Sequence, residues 1–369
     1  MNHDTERPLI DSVKRPASPP RRRPIAAATL EDVAARAGVS PKTVSRVVNS
    51  EPNVRPEKAL AVQQAIRDLN YSPNFSARNL AGNRSFLIAA LYDNPNDSYV
   101  VSLLNGALFA CEQLGYSLIF RPARVDNPNL VKEVLDFTRQ RRLSGLVIVP
   151  PLSDVVPLLD ELDLAEVRYA RISPRDTSRP GPVVTIDHRR ASFEMTSYLI
   201  AQGHRRIGFI KGALSKTATV LRLEGFLDAH REHNLAVDQE LIVQGSFLFD
   251  SGKECTKVLL TRPARPTAIF ASNDDMAAGA LQTAHQMGLK IPEELSIVGF
   301  DDSPLACRVW PSLTTIRQPL QQMAESAVQM LVNDVASRAK ELSDTPNIKV
   351  LPYELVVRDS AGPRHPAKR

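Results

Sequence analysis

The spacing of hydrophobic and polar residues changes along the chain and divides it into regions. In residues 29–69 apolar positions recur at helical spacing, which predicts three short helices around a shared core. From residue 86 onward, apolar runs such as FLIAALY and GLVIVPP alternate with amphipathic stretches such as NLVKEVLDFTRQRRL. This alternation predicts parallel sheets with helices on both faces, and two series of similar length predict two lobes.

Start and stop signals outline the helices of the first region. Thr29 can cap the segment LEDVAARA, and Gly38 can end it. Ser40 can cap a second helix that begins at Pro41, where the missing N–H costs nothing. A third helix covers residues 56–69, so the region is predicted to be a helix-turn-helix domain.

The ends of the chain and one internal segment lack this periodicity. Residues 1–27 are rich in proline, arginine and serine, and the last residues, SAGPRHPAKR, are similarly polar. We therefore predict a disordered basic tail over 1–27, a headpiece over 28–72, a hinge or linker over 73–84, a two-lobed body over 85–358 and a disordered tail over 359–369.

The distribution of charge adds a candidate function to this division. Residues 1–84 contain 14 basic and 8 acidic side chains, whereas the remainder has a formal charge of −1. A basic module on a nearly neutral body is typical of a nucleic-acid-binding domain carried by a sensor. A solvated basic tail is the alternative explanation.

Several other classes of protein are disfavoured. Cys111, Cys255 and Cys307 are far apart and form no CxxC pair, so we expect no disulfide, no metal and a reducing cytoplasm. No apolar run is long enough to span a bilayer, and residues 1–27 contain no apolar core of a signal peptide. Without a Walker loop, a GxSxG elbow or an HExxH motif, we predict no catalytic residue, no cofactor and no enzyme.

Two adjacent motifs point to a known family. The stretch TLEDVAARAGVSPKTVSRVVN, followed by LNYSPNFSARNLAG, resembles the headpiece and hinge of the lactose-repressor/galactose-repressor (LacI/GalR) family. The motifs GHRRIGFIKG, RLEGF, IFASNDDMAAGAL, LSIVGFDD and PSLTTIRQP follow in the family's order, so the resemblance covers residues 28–358. It implies a repressor of carbohydrate-utilisation genes, with a periplasmic-binding-protein-like body of two doubly wound parallel-sheet lobes.

The second helix of a helix-turn-helix places its N-terminal residues at base edges in the major groove. Arg46 can donate two hydrogen bonds to guanine, and it matches the family's base-reading arginine. Thr29, Asn49 and Asn53 resemble phosphate or groove contacts, with capping and turn formation as alternatives. The predicted DNA-binding residues of the headpiece are Thr29, Pro41, Lys42, Thr43, Ser45, Arg46, Asn49 and Asn53.

The resemblance also implies a role for the linker. Residues 74–81 would fold into a helix when two copies lie in a widened minor groove, with Leu80 wedged into a central base step. Asn74 and Ala77 belong to the same predicted DNA contact. The alternative for Leu80 is a core leucine of a short helix.

In the body, the resemblance places Arg222 and Asp301 where they grip sugar hydroxyls, which both donate and accept hydrogen bonds. Phe247 would lie against the sugar ring. A turn-forming carboxylate and a core aromatic are the alternatives for Asp301 and Phe247. The full predicted effector site comprises Asp93, Asn94, Tyr99, Arg171, Ser173, Arg222, Phe247, Asn273, Asp301 and Gln318, with Arg175 as a further candidate beside Arg171 and Ser173.

The partners predicted from the resemblance are a near-palindromic double-stranded operator, a sugar effector and a second copy of the chain. The C-terminus lacks a leucine-heptad helix, which favours a dimer. A purine or nucleoside effector is one alternative, and a sugar-binding transport protein without DNA function is another.

Overall fold

A computed structural model describes residues 28–48, 54–71, 85–94, 96–213, 216–336 and 346–364. The chain divides into two compact units, Met1–Arg78 and Asn79–Arg369, which we call the headpiece and the body. The predicted tail over residues 1–27 and the hinge over 73–84 lie outside the described residues.

Within residues 28–48 and 54–71, the headpiece contains three helices: α1 (Leu30–Ala37), α2 (Pro41–Val48) and α3 (Pro56–Asp68). The Thr29 hydroxyl accepts a hydrogen bond from the Asp32 N–H at 3.2 Å, and the Asp32 carboxylate accepts one from the Thr29 N–H at 2.8 Å. This reciprocal capping box satisfies two backbone donors that a helix start leaves unpaired. Gly38, at a φ of +65°, ends α1 in the left-handed conformation that glycine adopts without strain.

The turn into α2 follows the predicted signals. The Ser40 hydroxyl accepts a hydrogen bond from the Thr43 N–H at 3.2 Å, and Pro41 is the first residue of the helix. The three helices enclose a small core in which these side chains are buried: Val33, Ala34, Val44, Val62, Ala65 and Tyr71. The predicted helix-turn-helix architecture is confirmed.

The first lobe of the body is built on a six-stranded parallel sheet with strand order β11-β5-β4-β3-β1-β2. Its first eight elements are β1 (Leu87–Tyr92), α4 (Asp97–Leu114), β2 (Ser117–Pro122), α5 (Leu130–Arg141), β3 (Gly145–Ile148), α6 (Val156–Leu164), β4 (Tyr169–Ile172) and β5 (Gly181–Thr185). Two elements from near the C-terminus complete the lobe, α11 (Leu320–Ala336) and β11 (Pro346–Val350). Gly106 of α4 allows α11 to approach closely, since a Cβ there would lie 2.1 Å from the Gln321 carbonyl oxygen.

The second lobe contains a four-stranded parallel sheet with strand order β7-β6-β8-β9. Its elements are α7 (His188–Ala201), β6 (Ile207–Lys211), α8 (Thr217–Glu232), β7 (Ile242–Gln244), α9 (Phe249–Leu260), β8 (Ala268–Ala271), α10 (Asp274–Gln286) and β9 (Ser296–Val298). A separate antiparallel pair joins β10 (Thr315–Arg317) to β12 (Glu354–Val356). The predicted α/β body with parallel sheets in two lobes is confirmed.

The chain passes between the lobes three times. Residues 186–187 lead from β5 into α7, residues 318–319 lead from β10 back to α11, and residues 351–353 lead from β11 to β12. The first lobe therefore takes its edge strand β11 from a segment that follows most of the second lobe in the sequence. The alternating sequence pattern did not predict this exchange, because strand order depends on pairing between distant segments.

The segment after β12 corrects the prediction of a disordered tail from residue 359. Ser360 is fully buried, and its hydroxyl donates to the Ile297 carbonyl at 2.6 Å and accepts from the Thr314 N–H at 2.9 Å. The Arg364 N–H donates to the Gln202 carbonyl at 2.8 Å. These residues are held by hydrogen bonds rather than by large apolar side chains, so a hydrophobic pattern could not identify them.

Candidate DNA-binding face and ligand pocket

The predicted base-reading residues lie along the first turns of α2. Val44 is fully buried and fixes the helix on the headpiece core, while Pro41, Lys42 and Arg46 are exposed. Ser45 is half-buried beside them. The helix therefore presents a polar, cationic face to solvent and an apolar face to the core, as insertion into a DNA groove requires.

Two of the predicted contacts also hold the headpiece together. The hydroxyls of Thr43 and Ser40 are 2.9 Å apart in the turn before α2. Thr29 caps α1, and its N–H and hydroxyl lower the pKa of the Asp32 carboxyl. Five further predicted DNA contacts lie outside the described residues: Asn49, Asn53, Asn74, Ala77 and Leu80.

In the body, a cavity lies between the two lobes at the carboxyl ends of their strands, where α/β proteins bind ligands. Eight of the ten predicted effector residues line it, and the structure adds five others. The complete lining is Asn94, Asn96, Tyr99, Pro150, Ser173, His188, Lys216, Ala218, Arg222, Phe247, Asn273, Asp301 and Gln318.

Arg222 projects from α8 into this pocket and is almost completely buried. Its Nη2 atom lies 3.6 Å from Asp301 Oδ1, and its Nη1 atom donates to the Ser272 carbonyl. The guanidinium carbon is 3.6 Å from the centre of the Phe300 ring. These contacts restrict the rotamer of the guanidinium and so pre-organise its remaining donors for a ligand.

Asp301 follows β9 in a strained turn with a φ of +116°. The Gln318 side-chain amide donates to Asp301 Oδ1 at 2.6 Å. Burial raises the pKa of the Asp301 carboxyl to about 6, although Arg222 and Gln318 both favour its ionised form. The carboxylate is thus ionised at neutral pH and can accept hydrogen bonds from a bound molecule.

Phe247 supplies an aromatic surface in the pocket. Its ring occupies the space that a side chain at Gly212 would need, because a Cβ there would lie 1.9 Å from the ring. The Asn273 side-chain Nδ2 donates to the Phe247 carbonyl at 2.9 Å, and Asn273 Oδ1 caps α10 by accepting from the Met276 N–H at 3.0 Å. Asn273 therefore positions both the aromatic residue and the helix behind it.

The first lobe contributes the opposite wall. Asn96 caps α4 by accepting a hydrogen bond from the Tyr99 N–H at 2.9 Å, and its amide donates across the cleft to Asp275. On another side of the cleft, the Thr217 hydroxyl donates to the Asp154 carboxylate of the first lobe. The two lobes are therefore joined by hydrogen bonds on more than one side of the cleft, which corresponds to a closed cleft.

Ser173 and His188 complete the floor. The Ser173 hydroxyl lies 3.3 Å from His188 Nε2, and His188 Nδ1 has no partner among the described residues. Burial and the nearby Arg222 lower the pKa of His188 well below its usual value, so the imidazole is neutral. A neutral imidazole offers one ring nitrogen to a ligand as a donor or an acceptor, depending on its tautomer.

Two predicted effector residues do not line the pocket. The Asp93 carboxylate accepts a hydrogen bond from the Val125 N–H at 2.9 Å, which holds it against the loop after β2. Arg171 is buried in β4, and its guanidinium donates to the carbonyls of Asp176 at 2.8 Å and Arg179 at 3.0 Å. Together with the further candidate Arg175, it lines a second cavity instead.

Five lining residues were not predicted: Asn96, Pro150, His188, Lys216 and Ala218. Pro150 lies two residues after the end of β3, so the rule that ligands bind beyond strand ends could have identified it. Lys216 immediately precedes α8 and lies six residues before Arg222. Its position at the start of the helix that carries Arg222 was the sequence signal that could have identified it. His188 lies at the first crossing between lobes, which the sequence pattern did not reveal.

Comparisons with known proteins agree with both halves of this architecture. Residues 29–74 match the model of bacterial regulatory proteins of the lacI family, and residues 196–361 match the periplasmic binding protein-like domain. The HTH-type transcriptional repressor PurR of Klebsiella pneumoniae (strain 342) is 34% identical over 329 residues, which cover 85% of this chain and 92% of PurR. The chain belongs to the lacI family of bacterial regulatory proteins.

Solved structures of other lacI-family regulators show the same fold. A lac repressor dimer bound to operator and the anti-inducer ONPF aligns with a TM-score of 0.72 and 28% identity, over 91% of this chain and 99% of the repressor. A complex of the regulator CelR with cellobiose aligns with a TM-score of 0.69 and 30% identity, over 90% and 99% of the two chains. This lacI-family chain is therefore a DNA-binding transcriptional regulator.

Two kinds of feature are absent from the part of the chain that the structure describes. Within residues 28–48, 54–71, 85–94, 96–213, 216–336 and 346–364, no helix is long and apolar enough to cross a membrane. In the same residues, no group of three or more His, Cys, Asp or Glu side chains could hold a metal ion.

Proposed function

We propose that this chain is a homodimeric repressor of carbohydrate-utilisation genes, acting on DNA in the cytoplasm, whose affinity for a near-palindromic operator is set by a sugar. The contact between Arg222 and Asp301 carries the proposal. It places a guanidinium and a carboxylate 3.6 Å apart beside the ring of Phe247. Vicinal hydroxyls can accept from the guanidinium and donate to the carboxylate, while the apolar face of a sugar ring packs on the aromatic surface.

The position of the pocket supports a mechanism. Because it lies between the lobes, a molecule bound there contacts both of them and changes the free energy of the closed cleft relative to an open one. In a dimer, rearrangement of the lobes would move the linkers over residues 73–84 and alter the spacing of the headpieces. The change in operator affinity that the ligand causes is bounded by the difference in the ligand's affinity for the two forms.

An exposed apolar surface supports the homodimer. Val101, Leu108 and Phe109 of α4 are 50%, 43% and 54% exposed, and their spacing places them on one side of the helix. Apolar patches of this kind commonly pack against another protein. A second copy of the chain is the partner that a near-palindromic operator requires, because the symmetry of the DNA then matches that of the protein.

A purine or nucleoside is the second candidate ligand. The ring of Phe247, which lines the pocket, could stack on a base, and the Asn273 and Gln318 amides are suited to its edge. The Arg222 and Asp301 pair favours a polyol over a free nucleobase, because a base offers no vicinal hydroxyls, whereas the ribose of a nucleoside does. Titration with sugars and with nucleobases, followed by operator binding, separates the two candidates.

The DNA-binding role is tested by selecting preferred duplexes from a random pool and measuring affinity for the selected operator. Arg46→Ala should lower the preference for the operator by about 1 to 3 kcal/mol for each half-site and leave ligand binding unchanged. Arg36→Ala is a matched control, since Arg36 is another headpiece arginine but its guanidinium pairs with Asp68 at 3.0 Å. Equal affinity of the wild type for all duplexes at moderate salt, with and without the sugars, would overturn the proposal.

A further inference from the structure

Lys216 is the least compensated charge in the ligand pocket. It immediately precedes α8, and its side-chain nitrogen lies 5.7 Å from the centre of the Phe247 ring. No carboxylate of the described residues lies within ion-pair distance of it. By contrast, Arg222 in the same pocket lies 3.6 Å from the Asp301 carboxylate.

The lining of the pocket carries an excess of positive charge. Arg222 and Asp301 offset one another, and His188 is neutral, so the Lys216 ammonium remains without a counter-charge. Burial lowers the pKa of Lys216 to about 8, while Asp93 and Asp301 oppose the shift from a distance. At pH 7 the side chain is therefore a partly desolvated cation, which an anion would stabilise.

A second cavity adjoins the pocket at Lys216. Ser153, Arg171, Arg175 and Thr217 line it together with Lys216. Two buried polar atoms there, Arg171 Nε and Ser153 Oγ, have no hydrogen-bond partner among the described residues. The acidic members of the lining are Asp154 and Asp176, and Asp154 already accepts hydrogen bonds from Thr217 and from the Arg175 N–H.

We propose that the ligand is an acidic sugar, whose carboxylate or phosphate group binds Lys216 at the junction of the two cavities while its hydroxyls face Arg222 and Asp301. This inference rests on the proposed function and names the class of ligand. It also orients the molecule, because the charges of Arg222 and Asp301 offset one another at one end of the pocket, whereas the Lys216 charge at the other end attracts an anion. Buried donors that lack partners in the second cavity would gain an acceptor from the acidic group.

The test titrates the full-length protein by calorimetry with matched sugars at pH 7. Glucose, galactose and fructose are each compared with their phosphate esters, and the two aldoses with the corresponding aldonic acids. Inorganic phosphate alone serves as a further probe. A charge-assisted hydrogen bond predicts that at least one acidic sugar binds about tenfold to a hundredfold more tightly than its neutral parent. Tighter binding of the phosphate esters or of the aldonic acids then shows whether the acidic group is a phosphate or a carboxylate.

Lys216→Gln should abolish this preference, measured as the ratio of the affinities for the acidic sugar and its neutral parent, because the glutamine retains polarity but not charge. Lys257→Gln is the matched control, since Lys257 lies on the exposed side of α9 and pairs with Glu254 at 2.9 Å. The control variant should bind both sugars as the wild type does.

The pH dependence provides an independent readout. Affinity for the acidic sugar should fall as pH rises from 7 to 9 in the wild type, because Lys216 loses its proton in this interval, and it should change less in Lys216→Gln. The charged or titratable groups that face Lys216 are Asp93, Tyr99, Asp301, Arg222 and His188 around the pocket, and Asp154, Asp176, Arg171, Arg175 and Arg179 around the second cavity.

The inference is overturned if no acidic sugar binds more than threefold more tightly than its neutral parent, or if Lys216→Gln retains the preference. Operator binding is measured in parallel. Selective operator binding that responds to neutral sugars would leave the proposed function intact and would contradict only the inference that the ligand carries an acidic group. A response to nucleobases alone would overturn both.

Discussion

The headpiece and the body hold their functional side chains in opposite ways. On α2, Lys42 and Arg46 are exposed, and one buried residue, Val44, fixes the helix that carries them. In the pocket, Arg222 and Asp301 are buried and are oriented by side chains from other segments. A surface that reads DNA needs accessible donors on a rigid helix, whereas a site that encloses a small molecule must also compensate its own buried charges.

Removal of Arg222 should test this contrast with the largest effect. Arg222→Ala leaves the Asp301 carboxylate buried without its nearest cation, which predicts a loss of about 3 to 5 kcal/mol in the unfolding free energy of the body and loss of ligand binding. Operator affinity without ligand should persist below the new unfolding temperature. Thermal unfolding, calorimetry and operator titration measure the three quantities.

Arg231→Ala is the control for this change, because Arg231 lies on the same helix, is 76% exposed and pairs with Asp228 at the surface. An exposed pair contributes about 0 to 1 kcal/mol, so this variant should resemble the wild type. If both arginine variants lose the same stability, the buried pair has no special role.

Acidification should have an intermediate effect that is confined to the pocket. Because the pKa of Asp301 is about 6, its carboxylate gains a proton as pH falls below that value and accepts fewer hydrogen bonds from hydroxyls. Affinity for a bound neutral sugar should be higher at pH 7 than at pH 5, by about tenfold for each pH unit below 6. Asp301→Asn should bind weakly at both values, and a wild-type affinity that is equal at pH 5 and 7 would contradict the assigned role.

Loss of the cap on α1 should give the smallest effect, and only in the headpiece. Thr29→Ala removes the hydroxyl that accepts from the Asp32 N–H, which predicts a loss of about 1 kcal/mol in helix stability. Amide hydrogen exchange of α1 should accelerate about fivefold, while ligand affinity stays constant. Thr29→Ser keeps the hydroxyl and should exchange at nearly the wild-type rate.

The same contrast explains what the sequence could predict. Headpiece signals are local: Thr29, Gly38 and Ser40 act on residues within four positions, and the structure places each where the pattern predicted. The pocket instead gathers side chains from segments that are up to about two hundred residues apart. The family resemblance predicted that Arg222 and Asp301 contact the effector. It did not predict Lys216, because the electrostatic environment of that side chain depends on the tertiary structure.

The two residues that lie outside the pocket illustrate the same limit. Ser173 lies two positions after Arg171 and does line the pocket. The prediction therefore found the right strand end but was wrong to include Arg171, which lines the second cavity instead. Asp93 precedes the lining residue Asn94 but is held by the Val125 N–H. Tertiary hydrogen bonds determine which of these neighbouring residues lines the pocket. The sequence pattern alone does not reveal such bonds.

The three passages of the chain between the lobes limit how this protein can be divided into fragments. A fragment that ends after β5 would lack α11 and β11, leaving the β5 edge of its sheet unpaired and the apolar side of α4 uncovered. A fragment that starts at α7 would carry α11 and β11 without the sheet they complete. Neither lobe can therefore be isolated by one cut, and a minimal lobe requires the distant segments to be spliced together.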